Sequence, residues 1–126
     1  MAVADYITGY QHIGIPTQEM EETTKFYTTL GFHMIYETQN NGMVRFFSCR
    51  DILIETYEKE EVAKERGAID HIALAVNDID KTTEELRREG LKIVEGPTFL
   101  NFWENGVKYV CVEGPNKEIV EFLQKY

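Results

Sequence analysis

The sequence predicts an α+β fold in which two βαβββ repeats form curved mixed sheets, and three observations carry that expectation. The first is self-similarity at an offset of 59: Gln11-His12-Ile13-Gly14-Ile15 returns as Asp70-His71-Ile72-Ala73-Leu74, and Leu30-Gly31-Phe32 as Glu89-Gly90-Leu91. The second is a change of period inside each copy, from strand alternation to helical spacing, with Met20 matched by Ile79 and Tyr27 by Leu86. The third is the way both copies close, on strands carrying one glutamate among aliphatics: Asp51-Ile-Leu-Ile-Glu55 and Glu118-Ile-Val-Glu121.

The elements follow in order from local chemistry. Pro16 is expected to stop the first strand and Thr17 to cap the first helix, whose positive N-terminal end suits Glu19, Glu21 and Glu22. Gly31 fits the left-handed position that ends a helix, as does Gly90 in the second copy. Asn41-Gly42 reads as a tight hairpin turn, and so does Asn105-Gly106, displaced by 64 rather than 59 because the second copy holds a longer connection. The charged stretch from Glu58 to Gly67 reads as a solvated linker with a possible helical turn. Asn77 or Asp78 caps the second helix, and Arg87 and Arg88 sit at its negative end.

Length, charge and cysteine usage narrow the function classes. A chain of 126 residues is expected to be a single domain, with repeat one about 8–57 and repeat two about 68–125. Thirteen basic against twenty-two acidic side chains give a net charge of −9, which argues against a nucleic-acid partner, because that affinity rests on neutralising phosphates. No apolar run is long enough to span a membrane, and Met1 to Tyr10 lacks the layout of a secretory leader, so a cytoplasmic location is expected. Cys49 and Cys111 are isolated, which suits neither a disulfide framework nor a zinc knuckle, and they read as strand residues packed as small hydrophobes. His33 is expected at the surface, while Phe99, Phe102 and Trp103 are candidates for the wall of a substrate pocket.

Strand parity singles out four residues. Ile13 and Ile15 share one face of the first strand and His12 and Gly14 the other; Ile72, Leu74 and Val76 likewise oppose His71, Ala73 and Ala75. In the closing strands Ile54 and Thr56 oppose Glu55, and Val120 and Phe122 oppose Glu121. His12, Glu55, His71 and Glu121 therefore fall on the faces turned away from the helices, one histidine and one glutamate per repeat. Enclosing two carboxylates without compensation costs several kcal/mol per ion, so a cation is their natural partner. Two imidazoles and two carboxylates suit Ni²⁺, Co²⁺, Zn²⁺, Mn²⁺ or Fe²⁺, and an octahedral ion would keep two positions for water or substrate.

His12-Ile-Gly-Ile, Phe26-Tyr27 with Leu30-Gly31-Phe32, Asp70-His71-Ile-Ala-Leu, and Gly114-Pro115-Asn116 followed by Glu118-Ile-Val-Glu121 cover nearly the whole chain, and together they resemble the vicinal oxygen chelate superfamily. The resemblance implies the glyoxalase/bleomycin-resistance/dioxygenase fold and a divalent metal, Ni²⁺, Co²⁺ or Zn²⁺, held by His12, Glu55, His71 and Glu121. Within the superfamily the full His, Glu, His, Glu set is similar to glyoxalase I (lactoylglutathione lyase). That implies isomerisation of a methylglyoxal–thiol hemithioacetal, or a related vicinal-oxygen substrate, through a metal-bound enediolate. Glu121 is the favoured base, with Glu55 second.

Two positions depart from the bacterial glyoxalase I pattern. Pro16 and Lys59 stand where that group typically has the arginine and asparagine that hold glutathione. The metal chemistry carries over and the glutathione anchor does not. A thioester epimerase of the methylmalonyl-CoA epimerase type and a non-catalytic drug-binding resistance protein are the alternative readings. In small members of the superfamily the two halves of a site commonly come from two chains. A homodimer with shared sites is therefore expected, His12 and Glu55 of one subunit meeting His71 and Glu121 of the other; the competing arrangement closes both units within one chain, which the linker from Glu58 to Gly67 is long enough to permit.

Overall fold

The computed structural model describes residues 2–126 and contains two four-stranded mixed sheets, each crossed by one helix. The first unit runs β1 (Ile13–Thr17), α1 (Met20–Thr29), β2 (His33–Gln39), β3 (Met43–Cys49) and β4 (Ile52–Glu58). The second runs β5 (Ile72–Ala75), α2 (Ile79–Arg88), β6 (Ile93–Leu100), β7 (Val107–Glu113) and β8 (Ile119–Lys125). Strand order is β1-β4-β3-β2 in one sheet and β5-β8-β7-β6 in the other. In both, the opening strand pairs in parallel with the closing strand and the rest is antiparallel. Two copies of βαβββ are thus realised as the sequence repeat requires.

The helices form because their apolar positions recur on one side. Met20, Thr23, Phe26 and Tyr27 of α1 are buried, and so are Ile79, Thr83 and Leu86 of α2. Each faces the aliphatic side of its sheet, and the two layers merge into one core. Phe26, Tyr27, Phe47 and Ile54 of the first unit share a cluster with Ile79, Leu86, Val110, Val112 and Val120 of the second. Each such buried side chain contributes about 1.5–3 kcal/mol. Gly31 (φ 102°) and Gly90 (φ 74°) end the helices in the left-handed conformation expected of them.

A buried polar joint ties the units together. The Thr17 hydroxyl donates to Asn116 Oδ1 at 2.7 Å, and Asn116 Nδ2 donates to the Thr23 hydroxyl at 2.9 Å. Tyr27, fully enclosed, donates its hydroxyl to Glu118 at 3.1 Å. Burial first, and then the charge and hydrogen bond of Glu118, hold the Tyr27 phenol well above its usual range.

Three local expectations are corrected. Thr17 is not the cap of α1: it ends β1, Glu19 occupies the cap without a side-chain hydrogen bond, and Pro16 lies inside an edge strand, where its missing N–H costs no ladder bond. Thr17 still accepts the Glu19 N–H at 2.8 Å, but the other contacts of its hydroxyl are committed to the joint. The linker forms no helical turn: residues 59–71 are irregular, their charges facing water instead of an apolar stripe. Asn105-Gly106 lies in a six-residue connection between β6 and β7, with Gly106 alone of that pair at positive φ (85°). Asn41 (φ 56°) and Gly42 (φ 136°) both adopt it, and Asp78 caps α2 as expected, accepting the Lys81 N–H at 3.0 Å.

Candidate metal centre

Each repeat brings one histidine onto one glutamate. His12 stands one residue before β1 and His71 one residue before β5, so both sit at strand openings rather than within the ladders. The parallel register sets Gly14 beside Glu55 and Ala73 beside Glu121, which leaves small residues under both carboxylates. His12 Nε2 lies 3.4 Å from Glu55 Oε1, and His71 Nε2 lies 3.6 Å from Glu121 Oε2.

The far side of each imidazole is also matched. His12 Nδ1 bonds Gln11 Oε1, and His71 Nδ1 donates to Asp70 Oδ2 at 3.0 Å. These oxygens can only accept, so Nδ1 is the donor in both contacts and Nε2 is the ring nitrogen turned toward the glutamate. The His71 hydrogen bond, helped by the Arg66 guanidinium, holds the Asp70 carboxyl below the usual carboxylate range despite an opposing desolvation effect. Gln11 and Asp70 are the imidazole partners that reading the sequence missed. Their signal was present: an oxygen acceptor precedes the histidine in both repeats.

The donor set fits a shared cation. Donor atoms about 2.0–2.2 Å from one ion stand about 2.8–3.6 Å apart at octahedral to tetrahedral angles. Both pairs meet that spacing. The four side chains do not converge within one chain, however, and among the described residues no three His, Cys, Asp or Glu side chains are grouped to hold one ion. The described residues hold two separate His–Glu pairs.

Their surroundings differ. The Phe46 ring edges His12 with centroids 6.0 Å apart, and Tyr36 beside it is exposed. In the second unit Cys111 is the direct cross-strand neighbour of Glu121 and is buried with Tyr109 and Ile119 against Leu100 and Leu123. Burial, followed by the charges of Glu121 and Glu95, pushes the Cys111 thiol up to about 11, so it is no nucleophile at neutral pH. The Tyr109 hydroxyl bonds Glu95 on the same face. Cys49 lies half-buried in β3, as expected, and His33 is exposed. Phe99, Phe102 and Trp103 are exposed around the β6–β7 connection, Trp103 lying 4.7 Å beneath the Lys125 ammonium.

A family model described as the Glyoxalase/Bleomycin resistance protein/Dioxygenase superfamily matches residues 9–122. The uncharacterized protein YwbC of Bacillus subtilis is 28% identical, with 90% of this chain and 95% of that protein covered. The fosfomycin resistance protein FosX of Listeria monocytogenes, solved with Mn(II) and sulfate, superposes with a TM-score of 0.74 at 18% identity, over 95% of this chain and 94% of that one. FosX of Mesorhizobium loti superposes with a TM-score of 0.70 at 19% identity, over 92% and 90%. No helix among the described residues is long and apolar enough to cross a membrane.

Proposed function

The chain belongs to the Glyoxalase/Bleomycin resistance protein/Dioxygenase superfamily, and from that premise we propose that it is a metal-dependent lyase of glyoxalase I type. One observation supports this reading above the rest: two repeat-equivalent His–Glu pairs with Nε2···O separations of 3.4 and 3.6 Å. Two copies of the chain, joined as a homodimer, would complete each centre with His12 and Glu55 from one protomer and His71 and Glu121 from the other. The ion would be Ni²⁺, Co²⁺ or Zn²⁺, and the Mn(II) held by Listeria FosX adds a fourth probe.

When bound, the cation supplies Lewis acidity to two neighbouring substrate oxygens and stabilises the negative charge left by a departing C–H proton. The protein's own residues do the rest. His12 and His71, their Nδ1 protons tied to Gln11 and Asp70, present Nε2 as oriented neutral donors. Glu121 takes the proton from one carbon and returns it to the next. Its side chain is 13% exposed against 28% for Glu55, so water competes less for it, and Glu55 is the second candidate.

The substrate class is the hemithioacetal of methylglyoxal and a thiol. Pro16 and Lys59, in place of the residues that hold glutathione, favour another thiol carrier. The same proton transfer serves a thioester epimerase, and those two positions favour that second reading over a glutathione-dependent enzyme.

The test is metal analysis of the purified chain together with turnover of methylglyoxal in the presence of a panel of thiols. One ion per protomer and thiol-dependent formation of a 2-hydroxythioester are expected. Bound metal without such turnover, but with α-proton exchange on a 2-methyl thioester, transfers the assignment to the epimerase. A chain that binds none of the four ions contradicts both.

A further inference from the structure

The row of cross-strand neighbours that carries each glutamate runs on to the edge of its sheet. In the second unit Glu121 on β8 stands opposite Cys111 on β7, and Cys111 stands opposite Glu95 on β6. Directly opposed residues point to one face, so Glu95 shares the face of Glu121 two strands away, about 10 Å at roughly 4.8 Å per strand. In the first unit the corresponding row is Glu55, Phe46 and Tyr36. Tyr36 and Glu95 are related by the repeat offset of 59, so one place holds an aromatic ring in one unit and a carboxylate in the other.

The edge strand is bent to hold Glu95 there. Its register slips between Glu95 and Thr98, and Gly96 at the slip has φ 83°. A Cβ on Gly96 would lie 2.5 Å from the Tyr109 carbonyl oxygen, so only glycine lets the strand bulge this close to β7. A bulge re-aims the side chains beside it. Here Glu95 accepts a hydrogen bond from the Tyr109 hydroxyl, whose ring is buried on the same face. That bond, followed by burial, holds the Tyr109 phenol above its usual range, so it remains a donor at neutral pH. One oxygen of Glu95 is thereby anchored, while the residue is exposed and, among the described residues, forms no ion pair. Lys92, Arg66 and Lys125 have other partners: Glu113 at 3.2 Å, Asp70 at 3.7 Å and the Trp103 ring at 4.7 Å.

We propose that Glu95, positioned by Tyr109, determines specificity at the candidate metal centre by receiving the ammonium group of a substrate whose paired oxygens lie at the Glu121 end of the row. The inference rests on the lyase reading and narrows its thiol carrier to one that bears an amine. An oriented carboxylate with an open oxygen takes an N–H donor, and a charge-assisted bond is about twice as strong as a neutral one, which selects an ammonium over a hydroxyl. A carboxylate tail would meet Glu95 as a like charge.

Hydroxamates chelate divalent ions through two oxygens, and three of matched length test the tail: 6-aminohexanohydroxamate, hexanohydroxamate and the monohydroxamate of adipic acid. Each is titrated calorimetrically into the chain loaded with whichever of Ni²⁺, Co²⁺, Zn²⁺ or Mn²⁺ it binds. The ammonium probe is expected to bind at least about tenfold more tightly than the methyl probe, and the carboxylate probe more weakly than either. Glu95→Gln should bring the ammonium and methyl probes within about twofold, and Glu95→Lys should make the carboxylate probe the tightest, a reversal that a merely structural role would not produce. Tyr109→Phe keeps the carboxylate but frees it, and should cut the ammonium preference about threefold. Equal binding of the three probes, or an ammonium preference that survives Glu95→Gln, overturns the proposal and leaves the metal centre standing. A preference unchanged in Tyr109→Phe overturns the positioning by Tyr109. A chain that binds none of the ions, or binds one without taking any hydroxamate, overturns the proposal together with the lyase reading.

Discussion

The two repeats share their topology, their parallel strand pairings and their His–Glu spacing, yet they differ in how the pair is housed. In the first unit the pair opens beside Phe46 and an exposed Tyr36. In the second, Glu121 backs onto the buried cluster of Tyr109, Cys111 and Ile119. Topology alone delivers the donor pair, because a residue at the opening of a parallel edge strand meets its partner on the closing strand whatever lines the face. The lining is free to diverge, and under the proposed mechanism it would distinguish a glutamate that only holds an ion from one that also moves a proton.

The sharpest way to break that comparison is to disable each glutamate in turn. Glu121→Gln keeps an amide oxygen for coordination but cannot accept a proton at neutral pH, so kcat should fall about 10²–10⁴-fold with the circular-dichroism spectrum unchanged. Glu55→Gln should cost less. The opposite ranking moves the base to the first unit.

The joint between the repeats should respond next most strongly. Asn116→Ala removes the bridge between Thr17 and Thr23 inside the core, and chemical denaturation should show a loss of about 2 kcal/mol. Tyr27→Phe should cost about 1 kcal/mol at neutral pH. The native phenol is raised above its ordinary 10.0 by burial and by Glu118, so the folded state holds that proton more tightly than the unfolded chain. Its contribution is therefore complete below about pH 10 and fades above it, and Tyr27→Phe should flatten the alkaline fall in stability.

The smallest contrast concerns the helix starts. Asp78 makes a side-chain cap and Glu19 does not, so thermal denaturation should show Asp78→Ala losing about 1 kcal/mol and Glu19→Ala much less.

Much of this was legible in the sequence because it is local or periodic. The offset of 59 exposed the two units, glycines marked the helix ends, and strand parity set His12, Glu55, His71 and Glu121 on the faces away from the helices. What escaped depends on partners far apart along the chain. Thr17 looks like a cap beside Glu19, and only the fold brings Asn116, 99 residues on, to claim its hydroxyl. Local pattern also cannot say that the two His–Glu pairs stay apart within one chain, since that follows from the helix-side faces merging into a common core. Gln11 and Asp70 stood in plain view, but their role needs the imidazole orientation.

Subunit complementation tests the central claim, that two half-sites from different protomers make one centre. His12→Ala and Glu121→Gln proteins, each inactive alone, are mixed under conditions that exchange subunits. A heterodimer then holds one intact centre, built from His12 and Glu55 of the second variant with His71 and Glu121 of the first. Random exchange makes half of the dimers mixed, so activity should return to about one quarter of wild type. A mixture that exchanges subunits, shown by native mass spectrometry, and stays inactive would contradict the shared centre.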